Sequence, residues 1–426
     1  MNLEELYALY LQNPSVQTDT RKLKPGDIFF ALKGNNFNGN AYASEAIKAG
    51  AAYAVIDETE FEIPGKTILV DNVLTSLQNL ARYHREQFTI PFLAITGSNG
   101  KTTTKELIHA VLSSSFKTYT TDGNLNNQIG IPLTILKIKD DAQIAVLEMG
   151  ANHQKEIESY CIYAQPTLGI ITNCGKAHLE GFGSLEGVKK GKGELYDYLR
   201  KNKGTVFVMW DYEYLREMSQ GISSILTYGT DNADMEGRVF KSEPFLEVEI
   251  TKGVDTGIIK TKLVGDYNLP NVLAAVAVGS YFKIPGLAIK NVLENYIPSN
   301  SRSQLVEQGS NKIILDAYNA NPSSMKLAIE NFSRLPSNNK VLMLGAMAEL
   351  GKESVDEHKA LVDLIKQSPW KAVVLVGGDF LNFQHPFISF IHATQAREWL
   401  QQQQFENTHI LIKGSRSIQM EKIIEP

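Results

Sequence analysis

The sequence predicts an α/β protein of three domains: a central P-loop doubly wound sheet, a small N-terminal α/β domain before it and another α/β domain after it. Three observations predict this. The chain has 426 residues, too many for one compact domain and a natural length for two or three. Apolar runs of strand length alternate with segments of helical period along most of it, as a doubly wound sheet demands. And the stretch from Phe92 to Thr104, FLAITGSNGKTTT, joins an apolar strand to a helix through a tight glycine-bounded loop.

Residues 1–88 read as the first domain. Leu3, Leu6 and Leu9 mark a short helix, DIFFAL (27–32) a strand, and 41–50 a helix that stops on its glycine. AYAVID is a second strand, residues 73–85 form a longer helix, and Pro91 marks the join to the next domain. Residues 89–299 read as the central domain. After the P-loop strand, KTTTKELIHAVLSS carries Leu107, Ile108, Val111 and Leu112 at helical spacing. Strands follow at 117–120, 144–150, 168–173 and 205–210, each apolar enough to be buried on both faces. Between 224 and 264 the pattern turns to short alternating strands, LEVEITKG and GIIKTKLVG, and predicts an antiparallel patch. An alanine-rich helix is expected at 268–282. Pro298-Ser299-Asn300-Ser301 reads as a linker, and 300–426 as the third domain: IILDAY, a helix near 322–334, VLMLGA, a helix near 354–366, AVVLVGG and HILIKG.

Composition narrows the function classes. The chain is 43% hydrophobic and 21% charged with a net charge of −5, so no basic face for nucleic acid is expected. An anionic substrate must then be held by local cations and backbone amides. The two cysteines, Cys161 and Cys174, have neither C-x-x-C nor zinc spacing and are expected as free thiols. The start, MNLEELYALY, is acidic and amphipathic, unlike a signal peptide, and no apolar run is long enough to span a bilayer. A cytoplasmic monomer without membrane insertion is the expectation.

The candidate chemistry gathers at one sheet edge. Gly97, Ser98, Asn99, Gly100, Lys101, Thr102 and Thr103 form the loop and helix start that would hold nucleotide phosphates. The glycines admit backbone N–H groups, and the helix N-terminus adds partial positive charge. Lys101 would reach the β/γ-phosphates and the Thr102 hydroxyl would hold Mg²⁺. The glycine that usually opens such a loop is missing, and Gly97 sits closer in. The amide-rich stretch TDGNLNNQIGIPLT (121–134), Glu148 at the end of its strand, and His178 beyond the next strand all fall at the same rim. Read alone, Glu148 could be a helix-capping carboxylate and His178 a satisfied structural residue; Asn268, with Pro270 in the first turn, could be an N-cap. Lys189, Lys190 and Lys192 could form a solvated basic face.

TGSNGKTTTKE, TDGNLNNQIGIPLT, LEMGANHQKEI, TNCGKAHLEGFGS, KGKGELY, DAYNANP, LGAMAELG and KGSR together make the chain resemble the ATP-dependent Mur ligases of peptidoglycan precursor synthesis, over essentially its whole length. The Asn-Leu-Asn-Asn loop and Tyr-Asn-Ala-Asn-Pro point to the dipeptide-adding branch. The resemblance implies a UDP-sugar-peptide domain, an ATPase domain and a Rossmann-like domain that closes over the site. It implies that ATP phosphorylates the carboxylate of a UDP-N-acetylmuramoyl-tripeptide, and that the amine of D-alanyl-D-alanine attacks the acyl phosphate. It also implies catalytic roles for Lys101, Glu148, His178 and Lys192. Two Mg²⁺ ions would be bound through Thr102, Glu148, His178 and Lys192, the last as a carbamate formed with CO₂. Asn268, Asn271, Arg302 and Asp316 are implied on the ATP side; Thr20, Arg21, Asn124, Asn126, Asn127, Tyr318, Asn319 and Asn321 are implied for the peptide substrates.

The chain departs from the family pattern in three places. Ala346 stands where Leu-Gly-Asp-Met is usual, Thr18-Asp19-Thr20-Arg21 where Asp-Ser-Arg is commoner, and Phe37-Asn38-Gly39-Asn40 replaces an acidic, histidine-containing turn. Competing readings are a folate-polyglutamate ligase, a Mur ligase adding a single amino acid, and a non-catalytic nucleotide-gated binding module. The last would keep Lys101 and Thr102 but need not keep Glu148, His178 and Lys192 together.

Overall fold

The computed structural model describes residues 2–298 and 301–425. Ser299 and Asn300 of the expected linker lie outside them. Three sheets carry the architecture, and the α/β class expected from the alternation of runs holds throughout.

The first sheet is four-stranded and parallel, in the order Val16–Gln17, Ile28–Phe30, Tyr53–Ile56, Thr67–Leu69. Helix Leu3–Gln12 opens on a capping box: the Asn2 side chain accepts from the Glu5 N–H at 2.8 Å, and the Glu5 carboxylate accepts from the Asn2 N–H at 3.0 Å. It buries Leu6 and Tyr10 and packs on helix Val73–Arg85. That second helix ties the domain to the centre. The Tyr10 hydroxyl donates to the Leu136 carbonyl, and Arg85 donates to the carbonyls of Ala164 and Gln165, both at 3.0 Å, while its guanidinium lies 3.7 Å from the Phe92 ring centroid.

The central sheet has nine strands, ordered Ile258–Lys260, Glu247–Lys252, Met235–Lys241, Ser224–Gly229, Thr205–Met209, Leu168–Ile171, Phe92–Thr96, Ile144–Glu148, Thr118–Thr120. Phe92–Thr96 is buried at all five positions, as a strand flanked by parallel neighbours and covered by helices on both faces must be. Helices Lys101–Ser113 and Leu269–Tyr281 pack together on one face; Leu185–Lys201 covers the other. The expected antiparallel patch needs correcting. Ser224–Gly229 pairs parallel with Thr205–Met209, and only Glu247–Lys252 runs against its neighbours. Alternation in sequence reports one buried face and carries no information on pairing direction.

The third sheet has six strands, ordered Gln304–Gln308, Asn311–Asp316, His409–Lys413, Lys340–Gly345, Ala372–Val376, Ile388–Phe390, all parallel except the first. The two edge strands and helix Ala393–Gln403 were not expected from the sequence. Cys161 and Cys174 are buried free thiols, as expected. No helix of the described residues is long and apolar enough to cross a membrane.

Candidate active site

The phosphate loop is sewn to the chain that follows strand Leu168–Ile171. Ser98 N–H donates to the Asn173 carbonyl at 2.9 Å, Asn99 N–H to the Asn173 side chain at 3.0 Å, and the Thr172 hydroxyl to the Asn99 carbonyl at 2.6 Å. Two glycines make the loop possible. Gly97 has φ 142°, and a Cβ there would sit 2.0 Å from the Thr172 hydroxyl; Gly100 has φ 79° and faces the Asn271 amide. A side chain at either would cost about 1–3 kcal/mol in backbone strain before any clash. Helix Lys101–Ser113 begins with no side-chain cap, leaving its first N–H groups for an anion. The Lys101 ammonium folds back onto the loop, donating to the carbonyls of Gly97 at 2.6 Å and Ser98 at 3.2 Å. Burial lowers its pKa, and Glu148 opposes that shift.

Glu148 is 1% exposed. One carboxylate oxygen accepts from the Asn126 amide at 2.8 Å, while the other is buried with no partner. A buried oxygen left without a donor is costly unless a cation or ligand completes it. Thr102 is buried beside the same cleft. Among the described residues no cluster of three or more His, Cys, Asp or Glu forms a ready-made metal cage. That suits a hard cation held by one carboxylate, a hydroxyl and substrate phosphates.

His178 has φ 52° and pairs through Nδ1 with Glu349 of the third sheet's domain, also left-handed at φ 61°. The imidazole contact holds the Glu349 carboxyl below its usual range. Lys192 is fully buried on helix Leu185–Lys201 and donates to the Ala151 carbonyl at 2.9 Å. Burial, with Lys101 nearby adding to it, pushes its pKa down to about 7. It lies behind the cleft wall, in contrast to Lys189, which pairs with Glu186 at the surface.

The cleft itself measures about 840 Å³. It brings together Ser98 to Thr103, Asn126, Asn127, Glu148, His178, Asn268, Asn271, Arg302, Asp316, Tyr318 and Asn319. Asn268 is buried at the N-cap position, but its side chain makes no cap bond there; it donates to the Val264 carbonyl at 2.9 Å. Asn271 donates to Asn268 at 2.9 Å and accepts from the Thr104 hydroxyl at 3.0 Å, so both amides are engaged within the protein. The Arg302 guanidinium lies 3.7 Å from the Tyr318 ring centroid, and Asp316 pairs with the buried Lys413 at 2.6 Å.

Other candidates fall elsewhere. Gly97 lies beneath the lining, and Asn124 is exposed outside it. Asn321 caps helix Pro322–Ser333 and donates to the Asn99 side chain at 2.7 Å, joining third domain to phosphate loop. Thr20 and Arg21 sit on a turn of the first domain, away from the cleft, with Arg21 bound to Asp19 at 2.8 Å. Sequence reasoning missed Glu349, Lys413, Tyr212 and Tyr214. Lys413 ends a strand at the third sheet's rim, a position that could have marked it; the others carry no local signal.

Three family models match: "Mur ligase family, catalytic domain" over residues 14–85, "Mur ligase middle domain" over 95–279, and "Mur ligase, glutamate ligase domain" over 301–416. The UDP-N-acetylmuramoyl-tripeptide–D-alanyl-D-alanine ligase of Bacillus subtilis (strain 168) is 34% identical, over 100% of this chain and 97% of its own. Among solved structures, MurF from Acinetobacter baumannii superposes with a TM-score of 0.86 at 29% identity, covering 96% of this chain and 92% of that one. MurF ligase from Thermotoga maritima, in complex with ADP, gives 0.86 at 26% identity, covering 97% of each.

Proposed function

The chain belongs to the Mur ligase family, and on that premise we propose that it joins D-alanyl-D-alanine to UDP-N-acetylmuramoyl-tripeptide with consumption of ATP, as a cytoplasmic monomer in peptidoglycan precursor synthesis. The observation that carries this reading is the convergence in one cleft of an uncapped phosphate loop, a buried unpaired Glu148 oxygen, and Asp316, Tyr318 and Asn319 from the third domain.

Phosphoryl transfer is mostly positioning and charge neutralisation. The amides of residues 98–103 and Lys101 bind the triphosphate, with Lys101 turning from its own loop carbonyls to the phosphate oxygens. The tripeptide carboxylate attacks the γ-phosphorus, forming a carboxylate O–P bond as the bond to the β,γ-bridging oxygen breaks and ADP leaves. The free amine of D-alanyl-D-alanine then adds to the acyl carbon, and the tetrahedral adduct loses phosphate to give the amide; the extra amine proton passes to solvent. Asn126 and Asn127 hold the peptide carboxylate side, and Tyr318, Asn319 and Asn321 the incoming dipeptide. Arg302 and Asp316 approach the nucleotide from the third domain, which excludes the water that would hydrolyse an acyl phosphate. Thr102 and Glu148 would hold a first Mg²⁺. His178, through its remaining ring nitrogen, would help hold a second; these ions would screen phosphate charge. Lys192, buried and close to neutral at pH 7, fits a lysine able to take up CO₂ as a carbamate. Residues 1–88, with Thr20 and Arg21, take the UDP-sugar part, 89–299 the ATP, and 300–426 closes.

The test is an assay of phosphate release and product mass with ATP, D-alanyl-D-alanine and each UDP-muramoyl-tripeptide, whose third residue is a diamino acid with or without a second carboxyl. One amide per phosphate is expected only when all three substrates are present. Lys101→Ala should lower the rate by a factor of about 10³ or more while the protein stays folded. Phosphate release that ignores the acceptor, or near-normal turnover in Lys101→Ala, refutes the reading.

A further inference from the structure

The cleft continues past the phosphate loop on the side away from Glu148. In the central sheet, strand Ile144–Glu148 flanks the P-loop strand on one side, and Leu168–Ile171 then Thr205–Met209 lie on the other. The cation-binding oxygens and the amide loop occupy the first side. On the second, the wall is built by Met209, Tyr212 and Tyr214, from the end of strand Thr205–Met209 and the chain after it. The two tyrosine rings stack with centroids 5.6 Å apart and planes 9° apart. Tyr214 is pinned from behind, its hydroxyl accepting from the Cys174 N–H at 3.1 Å within the segment that sews the phosphate loop. From the third domain, helix Pro322–Ser333 turns Ser323 and Leu327, one helical turn apart, into the same cleft. A further turn on, Asn331 donates to Asp266 at 2.9 Å, fixing that face toward the central domain. Leu327 is 48% exposed, an apolar side chain facing an open cleft that phosphate and peptide chemistry do not require.

We propose that this is the nucleobase subsite: the purine of ATP lies on the Tyr212–Tyr214 stack and is covered by Leu327, so the base bridges two domains. The inference rests on the ligase reading above. A triphosphate on the loop must send its base to one side of the P-loop strand, and only this side offers flat apolar surface. The Asn268 and Asn271 amides, engaged with each other, Thr104 and Val264, are not free to read the base edge. Recognition is therefore by stacking, which favours the larger purine face over a pyrimidine.

Calorimetric titration of the full chain with a non-hydrolysable ATP analogue and with inorganic triphosphate, both with Mg²⁺, tests this. The wild type should bind the analogue more tightly than triphosphate. Tyr212→Leu should weaken the analogue about tenfold or more and leave triphosphate unchanged. Leu327→Ala, at an exposed position where folding is not at stake, should show the same selective loss. Unchanged analogue affinity in both variants, or equal loss for both ligands, overturns the subsite while leaving the ligase reading intact. A wild type that binds neither ligand overturns both.

Discussion

Lys192 has no exposed surface and one carbonyl to donate to, so the fold decides its protonation. Its folded pKa is about 7, whereas an unfolded lysine titrates near 10.4. Between those values the unfolded chain binds a proton that the folded chain does not. Stability should therefore rise with pH across that window, by up to about 1.4 kcal/mol per pH unit, and be lower below it. Chemical denaturation from pH 7 to 9.5 should show that rise in the wild type and a flatter profile in Lys192→Met, which fills the same space without a charge. Equal slopes would mean that Lys192 is charged in the folded protein. The residue illustrates what a sequence can and cannot tell. The loop of Gly97, Gly100, Lys101 and Thr102 was legible because its chemistry depends on adjacent positions. Lys192 and Lys189 look alike in sequence, and only tertiary packing makes one buried and the other an exposed partner of Glu186. Lys413 escaped notice for the same reason: its role is set by Asp316, 97 positions away.

At the scale of elements, the segment around His178 is gripped by the segment around Glu349. Besides the side-chain pair, Glu180 N–H donates to the Glu349 carbonyl at 3.2 Å, and both His178 and Glu349 are held in left-handed backbone. Such strain persists only where surrounding structure enforces it. Glu349 thus orients the imidazole when the third domain is in place. Glu349→Gln should lower kcat about tenfold and leave nucleotide affinity within about twofold, because Glu349 lies outside the phosphate loop. Loss of nucleotide binding, or no kcat change, would contradict that role. Helix Val73–Arg85 and strand Phe92–Thr96 were legible in outline from apolar periodicity. Gln304–Gln308 and Ile388–Phe390 were not, since short half-exposed edge strands carry little hydrophobic pattern. The Asn268 cap was misread because its side chain found a carbonyl four residues back instead of the helix N–H groups.

For the molecule as a whole, the two outer domains are attached differently. The first is fastened through buried Tyr10 and Arg85 to carbonyls of the central domain. The third meets it through polar contacts at the cleft rim: Asn321 to Asn99 at 2.7 Å, Lys176 N–H to the Ser323 hydroxyl at 3.0 Å, and Lys176 to Glu357 at 2.5 Å. Exposed pairs of this kind are worth about 1 kcal/mol or less each, so ligands that touch both domains can shift the balance. Solution scattering should move toward the compact arrangement described here when an ATP analogue and UDP-muramoyl-tripeptide are added together; identical curves would count against closure. The length indicated several domains, but which rims face each other depends on pairs such as Asn321 and Asn99, 222 positions apart, and no local pattern records them. The central claim is that this assembled cleft activates a carboxylate as an acyl phosphate. It is tested most directly by supplying UDP-muramoyl-tripeptide labelled with ¹⁸O in its terminal carboxylate, with ATP and D-alanyl-D-alanine, and weighing the phosphate released. One ¹⁸O atom per phosphate is the expected result; phosphate carrying no label would contradict the account.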